Sequence, residues 1–288
     1  MDDSEAIDLS GSGASCMSPQ PFPVADRGFS SLKTINGNPL ACGGNDYNSF
    51  TCWEYQPGTD SWTEGPDLLY YRADSPSCQV IGDNYWVLGG SSKTDTSEVY
   101  LAESGIFTEV PTIPDLEHYR GDVYSCSTKI SDDLSFYAHD YAYLYNWTTR
   151  EFTPTWRRMP SRSYQASCGY AESSTGERMV VVAGGHDYPL PNQVQILDLD
   201  SMTWVITEGD LPVEGIFFGT VVPYENTFLI VGGETRVNGT GDYAFLDTIL
   251  QFDPEERGWI VRPERLSTAR RQVYAALVED DVVNCGGQ

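Results

Sequence analysis

Residues 43–72 read GGNDYNSFTCWEYQPGTDSWTEGPDLLYYR, and the order of residue types in that stretch decides the fold. A small-residue pair, Gly43-Gly44, leads to the aromatic stretch Cys52-Trp-Glu-Tyr55, then to the turn Pro57-Gly-Thr-Asp60, then to Trp62 and Arg72. Outward from this stretch, short apolar runs end in small pairs or a stand-in at Gly89-Gly90, Tyr137-Ala138, Gly184-Gly185, Gly232-Gly233 and Gly286-Gly287. The steps are 46, 48, 47, 48 and 54 residues. A recurrence of that length marks a repeat architecture.

The residues after each pair keep the same order. Val99-Tyr-Leu101, Phe107 and Arg120 come after the second pair, and Tyr143-Leu-Tyr145, Phe152 and Arg162 after the third. Val194-Gln-Ile-Leu197 and Trp204 come after the fourth; Ile249-Leu-Gln-Phe252, Trp259 and Arg270 come after the fifth. After the fourth unit Gly215-Ile-Phe-Phe218 stands where an arginine is expected. Each unit offers four short β-rich segments separated by turn residues. Such a unit is a four-stranded blade, and blades stacked radially cover one another's faces.

The recurring double glycine, tyrosine, tryptophan and arginine resemble the kelch repeat over essentially the whole chain. That resemblance implies an all-β, six-bladed propeller in a single domain. Blades are expected at residues 24–66, 72–114, 120–160, 162–212 and 215–263, with the inner strands of a closing blade at 268–288. The C-terminus supplies only two strands of that blade, and residues 4–17 match the missing outer ones, so both ends of the chain are expected to close it together.

With 17 basic against 42 acidic residues the formal net charge is -25, and the chain has three lysines. Nucleic acid and anionic membrane, which require clustered basic surface, are excluded as partners on that reading. No apolar run approaches the ~20 residues of a membrane span, and Met1-Asp-Asp-Ser-Glu5 does not read as a secretory signal. The chain is read as a monomer without membrane insertion. Its compartment stays open between the extracellular one the resemblance implies and a cytoplasmic one. Asn146-Trp-Thr148 and Asn238-Gly-Thr240 are glycosylation acceptors in form.

Cys78, Cys126 and Cys168 each lie six residues after a repeat arginine. They read as small buried thiols at one inner-strand position of three successive blades, rather than as metal ligands or redox groups. Cys42 and Cys52 flank the connection between second and third strands and face each other if that pair is a hairpin. A disulfide there is also a feature of the secreted invertebrate kelch proteins that the spacing resembles. Cys285 copies the Cys42 position, and Cys16 stands at a tryptophan position.

In the kelch family the connection after the small pair, with the turn before the first strand, lines one rim of the channel and binds peptides or small molecules. Carried to this chain, the rim residues are Asn45, Asp46, Tyr47, Ser91, His139, Asp140, Tyr141, His186, Asp187, Tyr188, Glu234 and Arg236. The aspartates equally cap turns and the tyrosines pack on the next blade; an acidic, aromatic pocket for a cationic or hydroxyl-rich ligand is the sharper alternative. The arginines at 27, 72, 120, 162 and 270 recur with the blades and read as structural ties between loop carbonyls. The expected function is an interaction scaffold for a protein or peptide partner, with small-molecule or glycan binding as the alternative. A metal-dependent enzyme of the kelch oxidase or epimerase kind ranks third, because only His118, His139 and His186 are available as imidazole ligands. No cofactor is expected; the acidity leaves room for a divalent cation.

Overall fold

The computed structural model describes residues 4–9, 31–43, 50–72, 77–88, 96–110, 126–138, 142–149, 151–155, 159–160, 165–185, 193–207, 211–213, 215–237, 242–271, 274–278 and 281–285. It opens with β1 (Ser4–Asp8). Blade one is β2 (Ser31–Ile35), β3 (Asn38–Cys42), β4 (Cys52–Gln56) and β5 (Ser61–Glu64); blade two is β6 (Ser77–Ile81), β7 (Asn84–Leu88), β8 (Ser97–Leu101) and β9 (Ile106–Val110). Blade three is β10 (Cys126–Lys129), β11 (Leu134–Ala138), β12 (Ala142–Asn146) and β13 (Glu151–Pro154). Blade four is β14 (Ser167–Glu172), β15 (Arg178–Ala183), β16 (Val194–Asp198) and β17 (Thr203–Thr207). Blade five is β18 (Thr220–Tyr224), β19 (Thr227–Val231), a hairpin of β20 (Glu234–Arg236) and β21 (Tyr243–Phe245), then β22 (Thr248–Asp253) and β23 (Gly258–Arg265). The chain ends in β24 (Tyr274–Val278) and β25 (Asp281–Cys285).

Five of these sheets are four-stranded and antiparallel, four of them sequential and the fifth running β18-β19-β22-β23 around the β20-β21 hairpin, and no helix occurs among the described residues. This is the all-β propeller class. A further sheet runs β1-β25-β24, with Ala6 opposite Val283 and Ile7 opposite Val282, so strands from both ends of the chain form one blade. The outermost strand expected for it falls between residues 10 and 17, outside the described residues.

The strands form two units, one holding β1–β9 with β24 and β25, the other β10–β23. In the first, the inner strands β24, β2 and β6 lie side by side; in the second, β10, β14 and β18 do. Where blades of one unit pack face to face, their central strands are largely apolar. All five residues of β19 are buried, as are the last five of β15. The cores therefore lie between blades. One contains Ile35, Leu40, Tyr85, Val87 and Phe107 of blades one and two, and another contains Val181, Ile196, Phe228 and Phe252 of blades four and five.

The register explains the repeated aromatics. Tyr55 is directly opposite Trp62, Tyr100 opposite Phe107, Leu197 opposite Trp204 and Phe252 opposite Trp259. In three of these pairs both members are aromatic, with ring centroids 5.2, 5.5 and 5.3 Å apart, close enough for tilted and edge contacts. The glycine pairs have an equally direct cause. Gly184 and Gly233 hold φ of +69° and +109°, and a Cβ on them would lie 2.2 Å from the Ile216 oxygen and 2.8 Å from the Phe217 oxygen. The backbone of blade five's lead-in crosses both points, so only glycine fits. Tyr137 and Ala138, the degenerate pair, stay within β11 instead.

The cysteines correct one expectation. Cys126 and Cys168 are not separate thiols: they form a disulfide joining β10 to β14, with Cα atoms 5.5 Å apart. Sheets pack ~10 Å apart face to face, but inner strands of adjacent blades converge, and that brings equivalent positions within bonding reach. Cys78, at the same position in blade two, is buried and belongs to neither disulfide.

Candidate functional site

Of the twelve rim residues expected from the sequence, Glu234 and Arg236 are described; the other ten lie outside the described residues. Both occupy β20, so the connection between the second and third strands of blade five is a β-hairpin rather than an open loop. The 54-residue step after Gly232 is its trace in the sequence.

Three segments of the second unit meet at this hairpin. The lead-in to blade five, Gly215 to Gly219, bonds it through Phe217 N–H to Glu234 O (2.9 Å) and Glu234 N–H to Phe217 O (2.8 Å). The segment after β23 contributes Arg270, whose N–H donates to Leu246 O (3.1 Å) and whose carbonyl accepts from Gly233 (3.0 Å). The third segment is the hairpin itself, where Glu234 pairs with Phe245 and Arg236 with Tyr243 across the strands.

These contacts order two arginines against four aromatic rings. The Arg271 guanidinium donates to Glu234 Oε2 at 2.8 Å and lies over the rings of Phe218 (5.7 Å) and Phe245 (5.5 Å). The Arg236 guanidinium lies over Phe217 (6.0 Å) and Tyr243 (5.9 Å), which meet edge to face at 5.9 Å. Glu234 is buried and neutralises Arg271, whereas Val237, Tyr243 and Phe245 are 40–43% exposed. Phe218 holds φ at +55°, a left-handed conformation costly for an aromatic residue. Its N–H is held by Gln165 O at 3.1 Å. The arrangement presents arginines already stacked on rings, with ring faces left open to solvent; flat guanidinium and aromatic surface of this kind suits apolar and acidic groups.

Sequence reasoning missed Phe217, Phe218, Tyr243, Phe245 and Arg271. The signal was the break in the repeat at Gly215-Ile-Phe-Phe218, where aromatic residues replace the expected lead-in. Ile216 takes the arginine position: its carbonyl accepts from Gly185 N–H (2.9 Å) as that of Arg270 accepts from Gly233.

The two repeat arginines among the described residues are buried, as their structural reading requires. Arg72 Nε donates to Glu98 Oε1 (2.8 Å) and its Nη1 to Thr96 O (2.8 Å), while Arg270 Nε donates to Thr268 O (3.2 Å). Cys42 and Cys52 are directly paired on β3 and β4 and are disulfide-bonded, with Cα atoms 4.0 Å apart.

No family model matches the chain. A curated relative, human "Kelch-like protein 23", is 24% identical over 217 residues, which cover 71% of this chain and 35% of the relative. The chain thus spans about a third of the length of the relative it matches. The repeat, the blades and this likeness together define a protein class: the chain is a kelch-repeat β-propeller. Among the described residues no helix is long and apolar enough to cross a membrane.

Proposed function

We propose that this propeller is an interaction scaffold whose rim binds a protein or peptide partner, with the blade-five hairpin forming one wall of the contact surface. The observation that carries this reading is the pair of ring-stacked arginines beside exposed Tyr243 and Phe245. Aromatic residues and arginine are the types enriched in interface cores and hot spots. Stacking and the Glu234 pairing hold the guanidinium groups in place before a partner arrives, which lowers the ordering entropy of binding. The rim aspartates, tyrosines and histidines expected from the sequence on the other blades, from Asn45 to Tyr188, are further candidate contacts in this proposal.

A random-peptide display library selected on the full chain tests it. Selected peptides are expected to lose at least tenfold in affinity to Arg236→Ala and Tyr243→Ala, a loss of about 1.4 kcal/mol or more. Unchanged affinity for both variants would remove the hairpin from the binding surface.

A further inference from the structure

Blade three ends its third strand on Asn146-Trp147-Thr148, an Asn-X-Thr triplet of the kind that accepts N-linked glycans. The triplet forms the turn from β12 to β13. Asn146 Oδ1 accepts the N–H groups of Thr148 (3.0 Å) and Thr149 (2.8 Å), closing an Asx turn. Both bonds are local in sequence, so this conformation can form before the blade does. Among the described residues nothing accepts a hydrogen bond from Asn146 Nδ2. The bulky middle residue is drawn toward the sheet: Trp147 Nε1 donates to Ser135 Oγ (2.8 Å), and its ring meets Tyr145 edge-on at 4.6 Å. Thr148 and Thr149 remain exposed.

A separate observation bears on the compartment. Cys126–Cys168 fastens blade three to blade four, and Cys42–Cys52 closes a hairpin in blade one. Disulfides persist where the surroundings are oxidising, in secreted proteins and the lumen through which they pass. N-linked glycans are added in that same lumen. An accessible acceptor triplet and two disulfides in one chain are each explained by passage through it.

We propose that Asn146 carries an N-linked glycan, acquired in the compartment where the disulfides form. The donor is a lipid-pyrophosphate-linked oligosaccharide. Asn146 Nδ2 bonds to the anomeric carbon, the bond from that carbon to the pyrophosphate oxygen breaks, the amide gives up one proton, and lipid pyrophosphate leaves. The turn lies at the end of blade three opposite the connection from β11 to β12, so the glycan is directed away from the rim connections.

The test passes the full chain through the secretory pathway of a eukaryotic host and follows the tryptic peptide 130–150, which holds Asn146. The peptide is expected to carry a glycan mass and to yield aspartate labelled at Asn146 after N-glycosidase treatment in heavy-oxygen water. Thr148→Ser should keep the modification, while Thr148→Ala and Asn146→Gln should lose it. Library peptides that bind the unmodified protein should bind the glycosylated one equally well. An unmodified peptide from secreted protein whose Cys126–Cys168 bond is intact overturns the proposal. Reduced Cys126 and Cys168 in protein taken from its own source overturn it as well.

Discussion

Blades two and five solve the same packing problem with opposite chemistry. In blade two the lead-in arginine, Arg72, is fully buried against Glu98, the second residue of β8, and the other oxygen of Glu98 accepts Leu69 N–H at 2.6 Å. In blade five the corresponding positions hold Ile216 and Leu250, both 1% exposed and members of one apolar cluster. The arginine position is therefore a tie between a lead-in segment and a third strand, and the tie can be ionic or apolar provided both partners change together. Where it is apolar, the neighbouring residues 217 and 218 are relieved of that task, and their aromatic rings hold Arg236 of the hairpin and Arg271 of the segment after β23. The departure from the repeat and the candidate site are one feature.

Breaking the ionic tie from one side is expected to have the largest effect. Glu98→Ala leaves a buried guanidinium without its carboxylate and should cost about 3–5 kcal/mol, read as a loss of stability in denaturant unfolding. Converting blade two to the chemistry of blade five, with Arg72→Ile and Glu98→Leu together, should recover most of that loss. A double variant as unstable as Glu98→Ala would show that the two positions are not interchangeable ties.

The covalent fastenings sharpen the comparison at a similar scale. Cys126–Cys168 closes a loop with a sequence separation of 42, which in the chain-entropy account contributes about 4 kcal/mol. Cys42–Cys52, with a separation of 10, contributes about 3 kcal/mol. Serine replacement of the first pair should lower the melting temperature more than replacement of the second. The reverse order would mean that blades three and four are held mainly by their apolar interface, as blades four and five are.

The blades were legible in the sequence because each repeat aromatic has a fixed partner across one strand pair, as Tyr55 has Trp62, and because glycine is demanded where a lead-in segment crosses. Both constraints act within one repeat or between adjacent repeats, so they leave a spacing. The shared closing blade was legible for the same reason, from the incomplete unit at the C-terminus. The Cys126–Cys168 bond was not, since it depends on how closely two inner strands converge, a distance that no spacing encodes. The hairpin site was only half visible: the long step after Gly232 shows extra residues, yet the stacking of Arg271 between Phe218 and Phe245 joins three segments far apart in the repeat pattern.

The smallest expected effect separates ionic ties from hydrogen-bonded ones by pH. Tyr170 on β14 donates to Glu172 Oε2 at 2.8 Å, and burial, with that bond and the nearby charge, pushes its phenol up to about 12. The folded protein therefore binds this proton more tightly than the unfolded chain, whose tyrosine titrates near 10. Its contribution is complete below pH 10 and is lost as the pH rises toward 12. Tyr55, raised by burial and by its bond to Asp60, acts in the same direction. Lys33 acts in the opposite one: burial lowers its amine, so its penalty is relieved as the pH climbs toward the ordinary lysine value. Melting temperatures of wild type and Tyr170→Phe, measured from pH 8 to 11, should differ most at the acid end and draw together above pH 10, where the wild type falls more steeply than the variant. A guanidinium keeps its charge throughout that range. The Arg72→Ile, Glu98→Leu variant should therefore shift the whole curve without changing its alkaline slope. A change of slope in that variant would mean that the ionic tie of blade two is itself linked to a titrating neighbour.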